Sequence, residues 1–188
     1  MSAFDAGLSL ETPRLRLRAV RGSDAPALLE IFADPAVARY GSSPPWADLA
    51  EAERRVARDL QGGADGSVLA LLVERAADAR VIGRCVLFHV DRGCRRAEVG
   101  YALASSAWGQ GYAREAVQAL LDYGFEHLDL NRVEADIDPR NTASARLLER
   151  LGFRAEGLLR ERWIVAGEVS DSAMYGLLRA EWSAQPAR

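Results

Sequence analysis

Lysine is missing from this chain: all 24 basic side chains among its 188 residues are arginines. No internal lysine amine is therefore present to accept an acyl group. Cysteine is nearly missing as well, and Cys85 and Cys94 alone do not make a disulfide scaffold. A hairpin turn near Asp91-Arg92-Gly93 would set Cys85 opposite a residue near Glu98, so both thiols are expected to be free and structural. His89 and His127 stand apart from any Cys/His/Asp group with ligand spacing, which predicts no metal site and structural or solvent-exposed imidazoles. Long apolar runs are also lacking. The longest is Val68 to Val73, and the N-terminal stretch carries Asp5 and Glu11 with no cationic segment before an apolar one. Neither a signal peptide nor a membrane span is expected, and the location predicted is cytoplasmic. A formal net charge of -3 with no basic cluster argues against a nucleic-acid partner.

What is present has the balance of a soluble globular protein, with 49% hydrophobic and 27% charged residues. One domain over residues 1–188, with a core of about 10–182, is expected. Residues Arg14 to Ala19 alternate as a strand with Leu15, Leu17 and Ala19 inward and the three arginines in water. Ser23 is placed to cap a helix through Phe32, which Asp34-Pro35 stops. Asp34 to Trp46 collects Pro, Gly and Ser as a loop, and a second helix should run from Asp48 to about Leu60, where Gln61 to Gly66 breaks it. Three meander strands follow at Ser67 to Glu74, Val81 to Val90 and Arg96 to Leu103. From Trp108 the apolar period changes to three and four, giving a helix, then a strand at Arg132 to Ile137. Asn141 caps a helix ending at Gly152, and strands at Phe153 to Trp163 and Glu168 to Leu178 close the chain. This order predicts an α/β fold, an α+β sandwich on a mixed sheet.

Glu98 to Ala116, EVGYALASSAWGQGYAREA, carries the chemistry. A strand runs through a glycine turn into a helix, an arrangement that gathers backbone N–H groups for an anion. A dinucleotide fingerprint needs a third glycine where Arg114 stands, and a nucleotide-triphosphate loop needs a lysine, so both fail. A plain tight connection remains open on the turn alone.

The flanking residues add a resemblance. Trp108-Gly-Gln-Gly-Tyr-Ala113 resembles the cofactor loop of the GNAT acetyltransferases, in the form used by the branch of ribosomal-protein N-terminal acetyltransferases. Ala97 to Leu103, Asn141-x-x-Ser144 with Leu151-Gly-Phe153, and Glu11 to Arg18 resemble other motifs of that branch, in the same order along nearly the whole chain. The resemblance implies a mostly antiparallel mixed sheet with helices on both faces and a V-shaped splay between the strands ending near Leu103 and Ile137. It implies acetyl-CoA as cosubstrate and transfer of acetyl to a primary amine, either a protein N-terminal α-amine or a small-molecule amine, by direct attack.

Carried over by position, the backbone of Tyr101, Ala102 and Leu103 would pair with the pantetheine amides. The N–H groups of Gly109, Gln110, Gly111, Tyr112 and Ala113 would face the pyrophosphate with Arg114 assisting, Asn141 would meet the pantetheine, and Trp108 and Ser144 complete the cofactor-binding set. Gly111 is where a side chain would block that approach. Trp108 stands where the superfamily often has Gln or Arg, which moves phosphate binding onto backbone dipoles and Arg114.

Amide formation needs a neutral amine, a stabilised oxyanion and a proton for the thiolate. Glu98 is the candidate base; pairing with Arg84 or Arg96 is its structural alternative. The Leu103 N–H is the candidate oxyanion donor, freed by a bulge at the strand end. Ser144 is the candidate acid, because Leu148 occupies the position where many members place a tyrosine. Trp46, Tyr40 and Trp163 read first as core side chains and second as an acceptor mouth. Specificity should lie in Asp34 to Trp46, the second helix and the turn Ala166 to Glu168. A non-catalytic acyl-CoA sensor and another acyl donor such as succinyl-CoA are the rival readings, and the last strands are candidates for pairing in a homodimer.

Overall fold

The structure, a computed structural model, describes residues 3–184. Its strands are β1 (Ser9–Glu11), β2 (Leu15–Ala19), β3 (Leu69–Arg75), β4 (Arg80–Asp91), β5 (Arg96–Leu103), β6 (Arg132–Ile137), β7 (Arg154–Val165) and β8 (Glu168–Leu178). They form one sheet in the order β1-β2-β3-β4-β5-β6-β8-β7. Every neighbouring pair is antiparallel except β5 and β6, which are parallel and joined by the long crossover that parallel strands require. The helices are α1 (Ala25–Phe32), α2 (Pro35–Ala38), α3 (Leu49–Asp65), α4 (Tyr112–Glu126), α5 (Thr142–Arg150) and α6 (Arg179–Ser183). Among the described residues no helix is long and apolar enough to cross a membrane.

Two clusters sandwich the sheet. On one face Leu15, Leu17, Leu71, Cys85, Leu87, Val99 and Val133 pack with Val117, Leu120, Leu121 and Phe125 of α4 and Leu148 of α5. On the other, Ala70, Leu72 and Val86 pack with Ala25 and Leu28 of α1 and Ala52 and Val56 of α3. Each fully buried leucine contributes about 1.5–3 kcal/mol relative to exposure. Because both faces are covered, β3 is buried from Leu69 to Glu74, as a sheet's central strand must be.

That second cover changes the fate of Arg18. Instead of facing water it is buried, with its guanidinium on Asp24 (2.8 Å) and Glu74 (2.5 Å). Burial raises the Asp24 carboxyl, but bonds from Arg18 and from the Arg21 N–H outweigh burial and hold it below the usual value. Asp24 thereby ends a short 3₁₀ turn, Gly22–Asp24, and α1 starts at Ala25; Ser23 is not its cap.

The second helix is longer than its glycines suggest. Asp48 caps α3 by accepting the Glu51 N–H (2.8 Å), and the helix passes Gly62 and Gly63 to end at Gly66, φ +78°. At Gly62 an added Cβ would lie 2.6 Å from Val68 Cβ. Close packing, not termination, selects glycine there. Short α2, β1 and α6 also escaped the sequence reading; Asp34 caps α2 through the Ala36 N–H (2.8 Å). Cys85 lies opposite Tyr101, not Glu98, and both cysteines are free.

Candidate active site

β5 pairs with β6 at three positions only: Arg96 with Arg132, Ala97 with Val133 and Glu98 with Glu134. Past Glu98 the strands diverge, because β5 stays paired with β4 through Leu103 while β6 stays paired with β8 through Ile137. A gap opens between them. The Ala104 N–H bonds the Ile82 carbonyl at 2.8 Å. By the alternation of an antiparallel ladder, Glu98, Gly100 and Ala102 direct their backbone groups to β4, and Val99, Tyr101 and Leu103 direct theirs into the gap.

Two expectations are corrected by this register. The Leu103 N–H faces the gap through alternation, with no bulge; the register break in this pair lies between Phe88 and Asp91. Ala102, in contrast, has its N–H and carbonyl committed to β4. The Leu103 carbonyl is also taken, by the Trp108 indole N–H at 2.8 Å. Trp108 donates its own N–H to Ser105, so it ties the loop to the strand end.

The glycine loop is built by backbone angle. Gly109 and Gly111 have φ of +74° and +80°, a region that costs an L side chain about 1–2 kcal/mol. An added Cβ at Gly109 would meet nothing within 4 Å, and at Gly111 only Arg14 Nη2 at 3.4 Å. The glycines are thus required by conformation more than by crowding. Gly111 is the residue before α4, and the first bond into the helix is Glu115 N–H to the Gly111 carbonyl (3.2 Å). Ahead of it, the N–H groups of Gly109, Gln110, Gly111, Tyr112, Ala113 and Arg114 have no acceptor among the described residues. Arg14 braces the loop from outside, reaching the Gln110 carbonyl (2.9 Å) and Glu115 (2.6 Å). Exposed Arg114 has no ion pair among the described residues and stands beside the free donors.

Tyr101 and Ser144 lie on the α4–α5 side of the sheet, where the Tyr101 hydroxyl points to the Ser144 carbonyl (3.5 Å). Burial pushes the Tyr101 phenol up to about 12, so it keeps its proton and is a poor acid at neutral pH. Asn141 caps α5 by accepting the Ser144 N–H (3.1 Å), which leaves its amide nitrogen unused by the cap. Burial likewise pushes the Cys85 thiol up to about 12, which removes it as a nucleophile.

Glu98 lies on the opposite face, with Gly100, Val86 and Phe88. Neither arginine proposed as its structural partner holds it: Arg84 bonds Asp59 (2.5 Å) and Arg96 bonds Glu134 (3.1 Å). Its partner is His89, Nδ1 to Oε1 at 2.9 Å, an imidazole that the sequence alone ties to no partner. On this same face a cavity of about 270 Å³ is lined by the loop of Tyr40 to Pro45, by Asp136, Asp138 and Arg140, and by Trp163 and Glu168. Tyr40 and Trp163 therefore line a cavity, whereas Trp46 is core, stacked on Phe32 at 4.6 Å. Asp136, also missed, gathers Ser172 Oγ, the Trp163 indole N–H and Arg162 Nε (each of the last two 3.3 Å). Among the described residues no group of His, Cys, Asp and Glu is placed to hold a metal ion.

A family model described as an acetyltransferase (GNAT) domain matches residues 14–154, which include the splay, the loop and the α5 cap. The chain belongs to the GNAT acetyltransferases. An uncharacterized N-acetyltransferase p20 of Bacillus licheniformis is 38% identical to this GNAT chain over 177 residues, spanning 93% of it and 98% of the relative. A putative ribosomal N-acetyltransferase, YdaF of Bacillus subtilis, is 36% identical over 108 residues, 57% and 59% of the two chains. The solved GNAT acetyltransferase from Bacillus anthracis superposes with a TM-score of 0.82 at 27% identity, covering 93% of this chain and all of that one. A spermidine N-acetyltransferase of Vibrio cholerae solved with CoA and spermine shares the fold at a TM-score of 0.82 and 24% identity, covering 92% and 99%. This GNAT protein is thus an N-acetyltransferase, a family whose acyl donor is acetyl-CoA.

Proposed function

We propose that this enzyme transfers acetyl from acetyl-CoA to a primary amine by direct attack across the gap between β5 and β6. The observation that carries the reading is the division of the candidate groups between the two faces. Ser144 and the free N–H groups of the α4 loop flank the α4–α5 side, and Glu98 and the cavity flank the other. In this reading Gly109 to Arg114 hold the pyrophosphate, and the Tyr101 backbone meets the pantetheine. The Leu103 N–H stabilises the oxyanion, Glu98 takes the amine proton, and Ser144 returns a proton to the thiolate. Asp136 and Trp163 orient the acceptor. A protein N-terminus and a polyamine, suggested by the names of two relatives, both present a primary amine to such a cavity.

Calorimetric titration with acetyl-CoA, followed by thiol release in a panel of amines, tests the reading. Binding without release from any amine would favour an acyl-CoA sensor, and release from succinyl-CoA alone a different donor. One domain in a cytoplasmic setting belongs to this reading, and the free Cys85 and Cys94 accord with that setting. We also infer a homodimer through β7, an edge strand exposed from Arg154 to Ile164, with Leu158, Ile164 and Val169 presenting apolar surface. Light scattering that gives the monomer mass in concentrated solution would exclude it.

A further inference from the structure

We propose that His89 is the positioning residue for Glu98: it fixes the carboxylate for proton abstraction. The inference rests on the reading of Glu98 as base. Between the pairs Phe88 with Glu98 and Asp91 with Arg96, two residues of β4, His89 and Val90, oppose the single residue Ala97. In a regular strand His89 would point away from the face that carries Phe88 and Glu98. The bulge, with His89 at φ +50°, turns the ring back onto that face, 4.8 Å from the Phe88 ring and 2.9 Å from Glu98 Oε1. Bulges re-aim side chains beside active sites, and a non-glycine residue held in the left-handed region marks a place where the surroundings impose that conformation.

The chemistry follows from which atoms are engaged. With Nδ1–H donated to Oε1, Glu98 Oε2 remains to take the proton that the acceptor ammonium must lose. The other charged groups around Glu98 are already paired. Glu134, its Cα partner on β6, is held by Arg96 (3.1 Å) and Arg132 (2.8 Å). Arg96 also lies 3.9 Å from Asp91, and Arg84, further along the same face, is bound to Asp59 of α3 at 2.5 Å. Among the described residues His89 is thus the side chain that holds the Glu98 carboxylate.

The test compares wild type, His89→Asn, His89→Ala and Glu98→Gln, following thiol release from acetyl-CoA between pH 5 and 9 with spermidine and a serine-initiated peptide as probe amines. Asparagine tolerates positive φ and offers an amide N–H near the Nδ1 position without titrating. His89→Ala should lower kcat about ten-fold with the KM for acetyl-CoA unchanged, and His89→Asn should restore most of it. Wild-type kcat in His89→Ala, with Glu98→Gln inactive, overturns the proposal and keeps the base. Full turnover in Glu98→Gln overturns both. An acetyl-CoA-binding protein that turns over neither amine overturns the catalytic assignments, this one included. His89 imidazole NMR shifts that are identical in wild type and Glu98→Gln would also overturn it.

Discussion

The two sides of the gap are built differently. The side proposed for the donor is backbone: a strand edge with Tyr101 and Leu103 turned outward, two glycines at positive φ and a row of N–H groups ahead of α4 without acceptors among the described residues. The side proposed for the acceptor is side chains from distant segments, with Tyr40, Asp136, Arg140 and Trp163 brought together by the sheet order and by no local pattern. Backbone sites suit what every reaction of a family shares, which in the proposed reading is a phosphate-bearing cosubstrate. Side-chain sites vary with the substrate.

The sharpest way to separate the sides is to loosen one of them. Arg18→Met leaves Asp24 and Glu74 buried without their cation, which costs about 3–5 kcal/mol. The thermal midpoint should fall, and because Asp24 leads into α1 and the acceptor loop, the acceptor KM should rise while acetyl-CoA affinity holds. Equal losses on both sides would break the distinction. The same carboxylate predicts the acid response: its value is lower folded than unfolded, so the stability it supplies is complete above the unfolded value and lost as pH falls through the folded one. Acid titration of wild type should show that loss below about pH 4.

Gly111→Asp attacks the donor side alone. Backbone strain and a negative charge at the phosphate end should weaken acetyl-CoA about a hundred-fold, roughly 2.7 kcal/mol, with the fold kept by circular dichroism. Undiminished calorimetric affinity would contradict a phosphate site there. Trp163→Ala, its counterpart on the acceptor side, should raise the acceptor KM about ten-fold without moving acetyl-CoA affinity. The smallest change is expected from Arg140→Gln. Exposed pairing with Glu168 at 2.5 Å closes one rim of the cavity, and opening it should alter the acceptor KM by roughly two- to threefold; a larger change would make Arg140 a substrate ligand.

Legibility from sequence follows the same division. Strand β6 was placed end to end because Arg132 to Ile137 is bounded by turn signals, and the loop was readable because glycine at positive φ has few substitutes. Gly62 misled, since a glycine chosen for contact with Val68 looks in sequence like one chosen to end a helix. Arg18 misled because alternation tells which residues share a face and not whether a second layer covers it. His89 was invisible for a subtler reason. One extra residue in β4 decides which face it joins, and no residue type in Phe88 to Asp91 announces a bulge.

The parting of β5 from β6 beyond Glu98 also has a kinetic meaning. If the two faces of the seam take the two substrates as proposed, each has its own door, so neither must leave before the other enters. Steady-state lines for the two substrates are then expected to intersect, as they do when a ternary complex forms. Free CoA should compete with acetyl-CoA and not with the amine, and the acetylated product should do the reverse.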